Sequence, residues 1–149
     1  MVRYHNFDIV FAEIPCETTL AINITNCPNR CRGCHSPHLQ ADMGRVLDEA
    51  ELCGILARYC FMGGDAAPHE IAALADVVRR KFPMLHTGWY SGRARLPEGV
   101  RPQSFDYIKL GGWVEELGPL TSPTTNQRLY RVGADGTMQD ITELFQRRP

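Results

Sequence analysis

Four short β-rich segments recur along the chain, and each runs directly into a loop of glycine, serine or cysteine. TLAINIT (19–25) leads into NCPNRCRGC, YCFM (59–62) into Gly63-Gly64-Asp65, LHTGWY (85–90) into Ser91-Gly92-Arg93, and FDYIKL (105–110) into Gly111-Gly112-Trp113. In the first, Leu20, Ile22 and Ile24 alternate with smaller or polar residues, the period-two pattern of a strand. Helical patterns follow the first two. Asp48, with Glu51 three positions on, has the form of a capping box, and Leu52, Ile55, Leu56 and Tyr59 continue at helical spacing. Pro68 opens a second helix whose apolar stripe is Ile71, Leu74, Ala75, Val78 and Phe82, with Pro83 as its stop. The connection 93–104 shows no helical period. QRLYRV, GADG and TMQDIT read as a hairpin, about 142–147 as a short helix, and FDIVF near the start as an extra edge strand. Strands alternating with helices predict an α/β fold with a mainly parallel sheet, in a single domain spanning residues 1–149.

In such folds the active site lies beyond the carboxyl ends of the strands. The cysteine loop and the GGD, SGR and GGW loops are therefore expected on one rim. Composition narrows the partners. A net charge of −1 carries no basic excess for nucleic acid, and no apolar run is long enough to span a membrane. The opening MVRYHNFDIVFAEIP has charges inside its apolar stretch and does not read as a signal peptide. Six cysteines in a chain without such a peptide point to a reducing, cytoplasmic compartment, where a tight cysteine cluster is a metal or catalytic site.

Cys27, Cys31 and Cys34 follow a C-x3-C-x2-C spacing. Thiolates grouped in one loop bind soft centres, either zinc or an iron–sulfur cluster. A structural zinc wants a fourth ligand, and His35 directly follows Cys34, closer than zinc ligands are usually spaced. An electron-carrying cluster also wants a fourth thiol, for which Cys16, Cys53 and Cys60 are the candidates. With three thiols alone, one iron stays open to substrate.

The C-x3-C-x2-C motif after a first strand resembles the signature of the radical S-adenosylmethionine (SAM) enzymes. The resemblance covers nearly the whole chain. Gly63-Gly64-Asp65 is similar to the family's GGE segment, with aspartate in place of glutamate; TGWYSG (87–92) resembles the TGY segment of activating enzymes; TTNQR (124–128) resembles the SNQR segment of the anaerobic ribonucleoside-triphosphate reductase activating proteins. Gly33 agrees with that subgroup, since other members carry an aromatic residue there.

The resemblance implies an incomplete, TIM-like βα barrel and a [4Fe–4S] cluster on Cys27, Cys31 and Cys34. The amino and carboxylate groups of SAM would chelate the fourth iron. It implies that the reduced cluster cleaves SAM to methionine and a 5′-deoxyadenosyl radical, which takes hydrogen from a glycine of the reductase. The protein substrate would be that reductase, and an external one-electron donor such as a flavodoxin would supply the electron. Gly63, Gly64 and Asp65 would contact SAM, and Gly33, His35, Tyr90 and Ser91 would shape its pocket. An activase of another glycyl radical enzyme, of the pyruvate formate-lyase type, is the near alternative. A zinc module or a ferredoxin-like carrier is the distant one. Plainer readings stand beside several residues: a surface position for His38, core packing for Trp113 and Tyr90, and a turn for Asn126 and Gln127, while strand alternation leaves Lys109 either aimed inward, toward the barrel lumen, or on an exposed edge.

Overall fold

The computed structural model of the protein describes residues 1–11, 13–15, 19–54 and 59–146. In chain order the elements are β1 (Arg3–Val10), β2 (Thr19–Ile24), β3 (Arg45–Val46), α1 (Glu49–Gly54), β4 (Tyr59–Met62), α2 (Pro68–Lys81), β5 (Thr87–Tyr90), β6 (Tyr107–Leu110), β7 (Arg128–Val132), β8 (Met138–Asp140) and α3 (Glu143–Gln146). The eight strands form one sheet in the order β3-β1-β2-β4-β5-β6-β7-β8.

This overturns the expected partial TIM-like barrel with a mainly parallel sheet. Only β2–β4, β4–β5 and β5–β6 pair in parallel. The other four pairings are antiparallel: β1–β2, β1–β3, β6–β7 and β7–β8. Helix is also sparse. Parallel strands need a long crossover, but a barrel additionally needs a helix in each one. Among the described residues α2 is the only crossover helix longer than two turns, α1 has 6 residues, and β5 reaches β6 through a single 3-10 turn at Pro102–Ser104. Pro97, Gly99 and Pro102 keep that connection from becoming a helix. The sheet is therefore mixed, a parallel centre with antiparallel flanks.

Register assigns each residue a face. Ile22, Phe61, Trp89 and Ile108 are cross-strand neighbours in one row. All four are fully buried, in one cluster with Ile71, Ala75 and Val78 of α2. Each such aliphatic or aromatic side chain contributes about 1.5–3 kcal/mol by leaving water. Trp89 also stacks on Phe105 at 5.5 Å. The next row toward the carboxyl ends is Asn23, Met62, Tyr90 and Lys109, and it faces the other side of the sheet. A second, smaller core on that side joins Ile14, Tyr107 and Leu129 to Ile141 and to Phe145 of α3.

Local chemistry explains the ends of the elements. The Glu51 backbone N–H donates to Asp48 Oδ1 at 2.8 Å, so Asp48 caps α1. The Glu51 carboxylate does not return the bond; it receives Tyr4 Oη and Arg45 instead. Leu52 is buried as its spacing predicts, while Ile55 and Leu56 lie outside the described residues. Pro68 sits in the first turn of α2, and Phe82 caps its end through a bond to the Val78 carbonyl at 2.8 Å. The N-terminal strand starts at Arg3, earlier than the FDIVF pattern suggests, and the two-residue β3 beside it has no signal in the sequence. Among the described residues no helix is long and apolar enough to cross a membrane.

Candidate functional site

The three parallel pairings align the carboxyl ends of β2, β4, β5 and β6, and the loops that follow them meet over the Asn23–Met62–Tyr90–Lys109 row. They enclose a cavity of about 270 Å³ on the face opposite α2. Cys27, Cys34 and His35 line it from the cysteine loop, Gly63 from the loop after β4, Ser91 and Gly92 from the loop after β5, and Trp113 and Gln127 from beyond β6.

The cysteine loop is tightly wound. Asn26, Arg30 and Gly33 all take positive φ, at 60°, 49° and 69°. The Asn26 and Cys27 N–H groups donate to Ala41 and Leu39 carbonyls at 2.9 and 3.0 Å, which ties the loop to the chain after it. Cys27, Cys31 and Cys34 are free and half-buried. Burial raises the Cys27 thiol above its ordinary range; the Asn29 backbone N–H opposes this, and the charges of Asp65, Cys31 and Cys34 add to it. A thiol whose ionisation burial discourages is matched by a cation, which reverses the sign of the effect. Two glycines let the neighbouring backbone come close to the cysteine loop. A Cβ on Gly112 would stand 3.5 Å from Cys31 Sγ and 3.2 Å from the Gly92 carbonyl. A Cβ on Gly92 would meet Asn29 Nδ2 at 2.2 Å. Among the described residues no three Cys, His, Asp or Glu side chains converge as a set for one metal ion.

Asp65 is placed differently from what the GGD motif suggests. Its side chain is 1% exposed and does not line the cavity. It accepts hydrogen bonds from Ser91 Oγ at 2.5 Å, Asn29 Nδ2 at 2.6 Å and the Gly92 N–H at 2.8 Å. The Asp65 carbonyl takes a fourth from Arg93 Nη2 at 2.6 Å. The carboxylate is thus a clasp between the cysteine loop and the loop after β5. The two glycines before it also divide their roles. Gly63, at φ 94°, lines the cavity, donates to the Tyr90 carbonyl and accepts from Trp89 Nε1. Gly64, at φ 87°, faces the opposite way, and a Cβ there would lie 2.6 Å from Ile71 of α2.

Gly33 lies against Trp113 and Glu115, and the His35 ring meets Trp113 edge-on at 4.3 Å. Trp113 Nε1 is buried without a partner among the described residues. Tyr90 lines the cavity and donates its hydroxyl to the Glu13 carbonyl. Lys109 is not an exposed-edge lysine; it is 8% exposed on a central strand and lines the cavity. His38 packs on His5 and does not line the cavity. Asn126 donates to the Gly112 carbonyl at 3.0 Å, holding that loop in place. Cys60 is fully buried two residues below Met62, beneath the cavity floor and not in its lining. Cys16 and the Cys53 side chain lie outside the described residues.

Sequence reasoning missed Asn29, Asn23 and Met62. Asn29 stands between two of the cysteines, and its Nδ2 also lies 3.7 Å from Cys27 Sγ. Asn23 and Met62 are legible only through the register that brings them beside Tyr90 and Lys109. No family model matches the chain, and no curated protein or solved structure matches it.

Proposed function

We propose that the protein is a radical SAM activase, forming a glycyl radical on an anaerobic ribonucleoside-triphosphate reductase with an electron from a flavodoxin-like donor in the cytoplasm. One observation carries the reading: two of the three half-buried thiols, Cys27 and Cys34, line one cavity with the loops after four strand ends, and Cys31 lies beside Gly112 of the fourth loop. The reading rests on the site and its motifs, not on the fold, because the sheet departs from the barrel. Cys27, Cys31 and Cys34 would hold a [4Fe–4S] cluster, which when bound supplies a one-electron reductant beside an open iron. A cluster takes one thiolate per iron, so its anchors need not converge on one point as the ligands of a single ion do. Gly63 offers close backbone approach to a ligand, Tyr90 and Met62 an apolar floor, and Trp113 an edge against which the cysteine loop rests. Asp65 fixes the loops by clasping Asn29 and Ser91. Choice of the ribonucleotide reductase over another glycyl radical enzyme rests on the TTNQR and TGWYSG segments.

The test is an EPR spectrum of the anaerobically reconstituted, reduced protein, with and without SAM. A [4Fe–4S]⁺ signal that changes on adding SAM is expected. A signal indifferent to SAM would point to a fourth protein ligand and an electron carrier, and zinc in place of iron would sink the enzyme. Cys31→Ala should abolish SAM cleavage while leaving the iron-free fold intact by circular dichroism, since Cys31 belongs to neither core.

A further inference from the structure

Lys109 is a cation built into the floor of the cavity without a close ion pair among the described residues; Asp65 and Cys31 act on it only from beyond that distance. It is 8% exposed, on β6 between Tyr107 and Leu110. Its one hydrogen bond goes to the Gly111 carbonyl at 2.5 Å, and the ammonium lies 5.9 Å from the centre of the Tyr90 ring. Among the described residues no carboxylate comes within ion-pair distance of it. A buried ammonium left with one neutral acceptor is unfavourable by several kcal/mol unless an anion joins it. The same residue lines the cavity with Cys27 and Cys34, and its loop continues to Gly112, against Cys31 Sγ.

We propose that Lys109 is the fixed counter-charge of the iron–sulfur centre and sets its reduction potential. The inference rests on the function proposed above. A [4Fe–4S]²⁺ core with three thiolates is already a net anion, and the incoming electron adds one more negative charge. A positive charge held in a buried position beside it favours the reduced form, with an effect that solvent screens less than at the surface. The step is a single-electron transfer from an external low-potential one-electron donor to the cluster; Lys109 keeps its proton and gains or loses no bond. Lys109 is a positioning residue for charge, not a catalytic one.

The experiment is a dithionite titration of the reconstituted protein without SAM, monitored by EPR. Wild type is compared with Lys109→Met, Lys109→Gln and Lys109→Arg, the fold of each checked by circular dichroism. The Gln side chain retains a donor for the Gly111 carbonyl and carries the test if the Met variant does not fold. Removing the charge should make one-electron reduction about tenfold less favourable, a potential about 59 mV lower. Lys109→Arg should keep the wild-type potential. Equal potentials in all four proteins would overturn the proposal while leaving the cluster in place. Equal potentials together with SAM binding weakened in the Met and Gln variants would also overturn it, and would assign the charge to the SAM carboxylate. Failure of the wild type to assemble any cluster would remove the proposed function itself, a separate result from either.

Discussion

Two buried charged residues organise the cavity, and they do so in opposite ways. Asp65 is saturated, with Ser91, Asn29 and the Gly92 N–H all donating to one carboxylate. Asp65→Ala strands these donors in a buried place, and a loss of about 2–4 kcal/mol in urea unfolding of the iron-free protein is expected. Lys109 is unsaturated. Burial pushes its ammonium down to about 8, with Asp65 and Cys31 pulling the other way. Between about pH 8 and the ordinary lysine value of 10.5 the unfolded chain therefore holds a proton that the folded one has released, so this group adds stability as pH rises through that window. Below pH 8 both states are charged, and the cost of burial is constant. In iron-free protein, Lys109→Met should be more stable than wild type below pH 8, and its advantage should shrink by on the order of 3 kcal/mol by pH 10.5. Comparing the two proteins cancels the buried acids Cys27, Cys60 and Tyr90, whose pKa values are raised mainly by burial and whose contributions run with the opposite sign. Burial also makes the Cys60 thiol inert. Iodoacetamide should label Cys27, Cys31 and Cys34 in the folded iron-free protein but Cys60 only after denaturation, read by peptide mass mapping.

At the level of elements, short strands joined to glycine loops are legible because period two and Gly-Gly pairs are local signals. All four β-rich segments are strands, the tail is a hairpin, and α2 begins at Pro68 and ends two residues before Pro83. The direction of pairing is not local, which is why the antiparallel flanks and the two-residue β3 were invisible and a barrel was expected. The site divides along the same line. The cysteines and Gly63 announce themselves as motifs, whereas the clasp on Asp65 and the burial of Lys109 depend on which loops the sheet brings together. A motif also hides unequal partners. Gly64 is held by α2 rather than by a ligand, and its positive φ and contact with Ile71 make Gly64→Ala a packing change. About 2–3 kcal/mol of destabilisation is expected by urea unfolding, with the thiol reactivity of the cysteine loop unchanged.

Across the whole molecule, one side of the sheet carries the main core and the other carries the cavity beside a smaller core. The row of Ile22, Phe61, Trp89 and Ile108 seals against α2, and one residue further along each strand lie Asn23, Met62, Tyr90 and Lys109. A slip of one residue in any central pairing would exchange the two sets, so the same registration that seats the core also seats the site. The floor and walls of the cavity come from residues 23 to 127, while its thiols lie at the very beginning of that span. During synthesis the cysteine loop leaves the ribosome roughly one hundred residues ahead of Gln127, a wait of about 5–20 s at ordinary elongation rates. For that interval three cysteines stand with no floor beneath them, no clasp on Asn29 and no lysine behind them. Any metal loaded then would meet a floppy thiol peptide without selectivity. On the proposed function, selective loading would require the chain to close first and the cluster to arrive afterwards.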